Sequence, residues 1–274
     1  ENVLTGGLKE YQCNQFALVV PPQGDATVYL GATTTALPGF NMATVKSQMA
    51  AAAQDLGWEF LGIADHSQIL QIASGLSPDE LVTQAAEVRA LNENWVDKGV
   101  DFRLFHGNEC DILPDGGLDY TDDERSLLDH VVGSVHQLPT WMKRDEDVNT
   151  EALIRAIENP SLTILGHPTG RILGGRDGFA VDLHAVLRRM GELNAEGELK
   201  VVEINASPYR LDLDWRYCRY AKEQGVPISI NPDAHSQQGL KDVWFGAQIA
   251  RKGWLEETDI LNCRSGADLE QLLW

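Results

Sequence analysis

Short, nearly unbroken apolar runs recur along the chain at Trp58–Ala64, Phe102–Phe105, Val131–Val135, Leu162–Leu165, Val201–Ile204 and Pro227–Ile230. Runs of this length without alternation predict strands covered on both faces, as in a parallel sheet. Tyr29–Thr35 is a weaker candidate that would complete a set of seven. Amphipathic stretches separate the runs: Met42–Leu56, Leu81–Trp95, Asn149–Glu158, Asp182–Asn194, Asp214–Glu223, Lys241–Lys252 and Gly266–Leu272. Ser77-Pro78-Asp79-Glu80 opens the second of these, with Ser77 as N-cap and Pro78 at the first helical position. This alternation predicts parallel strands joined by right-handed crossovers. The first 40 residues fit the pattern least well, and no low-complexity linker marks a boundary.

The length, 274 residues, suits a single α/β barrel with a large core. No apolar run is long enough to span a membrane, and no basic segment followed by an apolar stretch opens the chain. Four scattered cysteines, Cys13, Cys110, Cys218 and Cys263, form no paired motif. They are expected as reduced thiols of a cytoplasmic protein. A net charge of −19 leaves no basic footprint for nucleic acid and attracts divalent cations.

The chemistry lies at the ends of the runs. They lead into Asp65-His66, His106-Gly107-Asn108-Glu109, Val135-His136, Gly166-His167-Pro168 and Asp233-Ala234-His235. Parallel barrel strands deliver their C-terminal ends to one face, so these residues can converge in space. One histidine at a strand end is usually structural. Here four of the seven histidines take the same relative position, which chance explains poorly. Imidazole mixed with carboxylate suits Zn²⁺, Mn²⁺ or Fe²⁺. Alternation points Cys110 away from such a site. His184 falls in a helix and reads as a surface residue, His130 starts a strand and reads as structural, and His106 could reach the edge of the site.

These strings resemble the PHP (polymerase and histidinol phosphatase) superfamily, above all the C-terminal PHP domain of bacterial family X DNA polymerases. The resemblance rests on Ala64-Asp65-His66-Ser67, Gly107-Asn108-Glu109-Cys110-Asp111-Ile112-Leu113 and Ser134-Val135-His136. It continues through Gly166-His167-Pro168-Thr169-Gly170-Arg171, Glu203-Ile204-Asn205-Ala206, Arg210-Leu211-Asp212-Leu213 and Asp233-Ala234-His235-Ser236. It covers residues 39–274, leaving 1–38 as a divergent segment that would hold the first barrel strand. It implies a distorted (β/α)₇ TIM-like barrel with one to three divalent ions, Mn²⁺ or Zn²⁺ with Mg²⁺ or Fe²⁺ as alternatives, at the strand C-termini. By that resemblance Glu109, His136 and His167 hold one ion, Glu109 bridges to a second held by Asp233, and His66 and His235 serve a third.

The family's first strand carries His-x-His and a further ligand downstream. Gly31, Thr33 and Pro38 fall at those places, and no histidine precedes His66. Three readings stay open: a site that works with fewer ions, a non-catalytic scaffold, or a divergent or mis-read N-terminal stretch. The expected activity is metal-dependent hydrolysis of phosphodiester or phosphomonoester bonds at nucleic-acid 3′ ends, with DNA ends as partner. The alternative is a phosphatase acting on a small phosphorylated metabolite. Asp65 is a candidate partner that orients His66, or a strand-end cap. Arg171, Arg176 and Arg210 are candidate phosphate clamps, the first and last counted with Asp65 as catalytic. Trp141 could stack a base or pack in a loop. The carboxylate run Asp119–Glu124 reads as a helix start.

Overall fold

A computed structural model describes residues 15–16, 42–70 and 75–273 of the chain, and side chains from 46 onward. The strand candidate Tyr29–Thr35 and the positions Gly31, Thr33 and Pro38 lie outside the described residues.

Six strands run in chain order: β2 (Phe60–His66), β3 (Arg103–Asp111), β4 (His130–Ser134), β5 (Ile164–Leu165), β6 (Val201–Asn205) and β7 (Ile228–Asn231). A two-residue β1 (Gln15–Phe16) pairs with Leu61 and Gly62. Every pairing is parallel and between neighbours in sequence, and β1 also comes within contact distance of β7. A TIM-like barrel is compatible with this arrangement. The edge beside β2 is therefore taken by Gln15–Phe16. The apolar run Phe16–Val20, ended by Pro21-Pro22, is the sequence signal for it.

Helices occupy the intervals: α1 (Met42–Asp55), α2 (Pro78–Asp97), α3 (Asp122–Arg125), α4 (Leu138–Trp141), α5 (Glu146–Ile157), α6 (Leu183–Ala195), α7 (Trp215–Glu223), α8 (Val243–Lys252) and α9 (Gly266–Leu273). Ser77 caps α2 in a full capping box with Glu80, as expected from the sequence. Thr121 and Glu124 form the same box at α3, so the acidic run is a helix start. None of the described helices is long and apolar enough to cross a membrane.

Alternation gives each strand two chemically different faces. On one, Leu61 and Ile63 of β2 and Leu104 of β3 pack against Met49, Ala50 and Ala53 of α1 and Val88 of α2. On the other, Phe60 and Ala64, Phe105, Val132, Ile164 and Val201 form a shared apolar layer, closed by Leu261 and Leu269. Further along that second face stand His66 two residues past Ala64, Glu109 four past Phe105, and Glu203 two past Val201. The interior thus grades from apolar to ionisable toward the C-terminal strand ends. Close approach inside this layer needs small residues. A Cβ at Gly107 would lie 2.2 Å from the His130 ring. Of the cysteines described, Cys110 and Cys218 are free and buried. Cys263 is disulfide-bonded, which corrects the expectation of thiols throughout; separation in sequence does not limit proximity in the fold.

Candidate metal centre

A cavity of about 260 Å³ opens at the C-terminal strand ends, lined by His66, Glu109, His136, His167, Arg210, Asp233 and His235. All six expected ligands therefore come together. Glu109, 1% exposed on β3, is the hub. Its Oε1 accepts from His136 Nε2 at 3.1 Å and from His167 Nε2 at 3.0 Å, and its Oε2 lies 3.4 Å from His66 Nδ1. Ligand atoms of His66, Glu109 and His136 all lie within 4.8 Å of one another. His66 and His136 meet edge to face, with ring centroids 4.7 Å apart.

The chemistry of this donor set fits a borderline divalent ion: three imidazoles and a carboxylate on one side, a carboxylate and an imidazole on the other. Among the described residues His66 Nδ1 is buried without a hydrogen-bond partner, an orphan that a cation would satisfy. Protonation behaviour agrees. Burial holds His66 down to about 4 and, with the Arg210 charge nearby, lowers His167, so both present lone pairs at neutral pH. Burial opposes charge on His136 too, but the Glu109 carboxylate and the Asp111 hydrogen bond override it and raise that ring to about 10. Burial pushes Glu109 up, yet the charges of His66 and His136 and its imidazole hydrogen bonds hold it well below the usual carboxylate range. One proton on His136 thus compensates the acidic groups where an ion would do so.

Supporting residues fix these donors. Asp111 lies two positions past Glu109 on the same face of β3, and its Oδ1 is 3.2 Å from His136 Nδ1. That contact directs the other nitrogen at the cavity, as is usual for metal-binding histidines. Glu203 accepts from the His167 backbone N–H at 2.6 Å and from Asn231 Nδ2 at 2.9 Å. It holds His167 in a left-handed conformation with φ 21°. Burial raises the Glu203 carboxyl to about 8. Asp233, φ 52°, receives Asn205 Nδ2 at 3.1 Å, and Arg210 Nε stands 3.6 Å from the same oxygen. His235 is partly exposed at the mouth, with Nδ1 2.8 Å from the Asp233 carbonyl. Sequence reasoning assigned no role to Asp111, Glu203, Asn205 or Asn231. For Asp111 and Asn231 the available signal was two-residue spacing from a ligand, Glu109 and Asp233; β6, which carries Glu203 and Asn205, holds no ligand that could have pointed to them.

The other candidates divide. Alternation turns Asp65 to the helix side of β2, where its Oδ2 accepts from Gln84 Nε2 of α2 at 2.5 Å, and burial raises its carboxyl. Its backbone oxygen accepts from Asn108 at 2.6 Å. His106 also faces α2, between Gln84 and the Leu127 carbonyl. His130 is buried in the interior at about 3, because burial penalises its charge. His184 is exposed and rests against Tyr217 and Tyr220. Arg210 lines the cavity and keeps one buried nitrogen, Nη1, without a partner among the described residues. Arg176 donates to the Gly170 carbonyl. Arg171 is committed to Asp214 at 2.8 Å, the Arg210 carbonyl at 3.0 Å and the Leu211 carbonyl. Trp141 does not face solvent: it is fully buried against Phe179, and the Arg144 guanidinium covers its ring.

No family model matches the chain. The DNA polymerase/3′–5′ exonuclease PolX of Bacillus subtilis is 39% identical over 226 residues, which are 82% of this chain and 38% of that protein. The chain therefore spans well under half of that relative. A probable phosphatase of a Thermoanaerobacter species is 28% identical over 176 residues, covering 62% of this chain and 67% of the relative. Another, of Caldicellulosiruptor saccharolyticus, is 28% identical over 197 residues, covering 69% and 72%. With the ordered strand-end motifs, these relatives establish that the chain belongs to the PHP superfamily and is similar to the PHP part of bacterial family X DNA polymerases.

Proposed function

We propose that the chain is a metal-dependent phosphoesterase of the PHP type acting at nucleic-acid 3′ ends, its site at the strand C-termini of a distorted (β/α)₇ barrel. The observation that carries this is Glu109 set among His66, His136 and His167 beside a second pair, Asp233 and His235. The names of the relatives, an exonuclease and phosphatases, support the reaction class. A bound Mn²⁺ or Zn²⁺, or Mg²⁺ or Fe²⁺ in their place, supplies Lewis acidity that lowers the pKa of water and draws phosphate charge.

The chain's own groups do the rest. His66 and His167 stay neutral and offer lone pairs, while His136 gives up its proton when a cation replaces it. Arg210 turns its free donor to a phosphate oxygen, and Arg176 adds positive charge at the same rim. Asp65 and Arg171 act through others. Asp65 ties the end of β2 to α2 through Gln84, and Arg171 holds the turn that carries Arg210.

A phosphatase acting on a small phosphorylated metabolite is the second reading, favoured by the −19 charge and the 260 Å³ cavity. Hydrolysis of p-nitrophenyl phosphate and of 3′-phosphorylated single-stranded DNA, each with Mn²⁺, separates the two. Turnover of both supports the first. Turnover of the small ester alone, with DNA left intact, selects the second. No turnover of either, with metal bound, refutes both.

A further inference from the structure

The cavity wall on the Arg210 side is a braced platform rather than a loose loop. Residues 171–178 and the turn 207–212 are tied together at several points. Leu173 N–H donates to the Tyr209 carbonyl at 2.7 Å, and Arg171 donates to the carbonyls of Arg210 and Leu211. Thr169 donates through N–H and Oγ1 to Asp212 Oδ2 at 2.9 and 2.7 Å. The turn is also rooted in the site. Asn205 Oδ1 accepts from Ser207 N–H at 3.1 Å, while Asn205 Nδ2 donates to Asp233. Two arginines stand on this platform, Arg176 and Arg210; burial, and after it the Arg210 charge, lowers the Arg176 pKa.

Tyr209 projects from the same turn, next in chain to Arg210, and is 72% exposed; Leu173, bonded to its backbone, is 45% exposed. A large ring left in solvent on a rigid turn, one residue from a guanidinium facing candidate metal ligands, is unusual for a merely structural tyrosine. An aromatic face offers a sequence-tolerant surface for a base, and neighbouring guanidinium groups suit its phosphate. Trp141, the loop aromatic for which base stacking was considered from the sequence, is enclosed in the core.

We infer that Tyr209 is the stacking platform for the terminal nucleobase of a single-stranded nucleic-acid substrate, and so sets the preference for nucleotides over simple phosphate esters. This rests on the phosphoesterase reading above. The test is binding, followed by fluorescence anisotropy, of two 5′-fluorescein oligothymidylates to the Mn²⁺-loaded protein, one with a normal 3′-terminal nucleotide and one with an abasic 3′ residue. Wild type is expected to bind the normal oligomer roughly 5- to 100-fold more tightly. Tyr209→Ala should lose that preference while binding the abasic oligomer as wild type does, and Tyr209→Phe should retain it. The inference is overturned if wild type binds neither oligomer or both equally, or if Tyr209→Ala keeps the preference. It also fails if Tyr209→Phe loses as much as Tyr209→Ala. Because binding is read without turnover, a protein that discriminates the base yet hydrolyses nothing would remove the phosphoesterase reading and leave this one standing.

Discussion

Metal binding should expel one proton, and that proton should come from His136. In the metal-free protein this ring sits at about 10, held there by Glu109 and Asp111 against the opposing effect of burial. His66 and His167 are lowered and neutral at pH 7. A cation therefore meets one protonated donor among the three imidazoles around Glu109. A metal needs the neutral ring, so apparent affinity should fall about tenfold for each pH unit below about 10. At pH 7 the competition spans three units, roughly 4 kcal/mol of lost affinity. The same shift has a stability counterpart. A raised histidine stabilises the fold fully below its unfolded value of 6.5, and that contribution is lost as pH rises through about 10. The metal-free protein should then lose up to about 5 kcal/mol from this group between those limits, and the metal-bound protein should not. Calorimetric titration with Mn²⁺ at pH 8 in buffers of different ionisation enthalpy counts the protons. A value near one, with affinity rising tenfold between pH 7 and 8, is expected. No proton released, or affinity independent of pH, would refute the reasoning.

Further substitutions probe the supports. Asp111→Asn keeps an acceptor for His136 Nδ1 but removes its charge, so fewer protons should leave at pH 8 and the pH midpoint should move down; an unchanged count would show that Asp111 does not set the ring's charge. Gly107→Ala brings a methyl group to 2.2 Å from the buried His130 ring and should cost about 1–3 kcal/mol in urea unfolding, whereas an unchanged midpoint would contradict the packing described. Arg171→Ala removes the ties to Asp214, Arg210 and Leu211 and should speed proteolytic cutting within 207–214 while metal content stays as in wild type; resistance equal to wild type would show that the turn holds itself.

Much of the strand order was legible because parallel strands buried on both faces read as short apolar runs. The six runs from Trp58–Ala64 to Pro227–Ile230 each overlap a strand. Boundaries were less legible. The run Leu162–Leu165 holds only Ile164–Leu165 as formal strand, although Thr163 still bonds to Val131 and Val201 on either side. The ligands were legible because each ends such a run. Orientation was harder: adjacent Asp65 and His66 point to opposite faces, and only alternation separates them. Asp111 and Glu203 were missed because their work is done through a histidine far away in sequence. Trp141 was misplaced because a loop position says little about burial when a four-residue helix tucks the ring under Phe179.

The central claim is that Glu109 organises a divalent-cation centre. Metal content after loading with Mn²⁺ and exhaustive dialysis, measured by elemental analysis on wild type and Glu109→Gln, tests it most directly. The account predicts at least one ion per chain in wild type and a loss of most of it in the variant, with both proteins folded by circular dichroism. No ion in wild type, or equal content in the two, would contradict it.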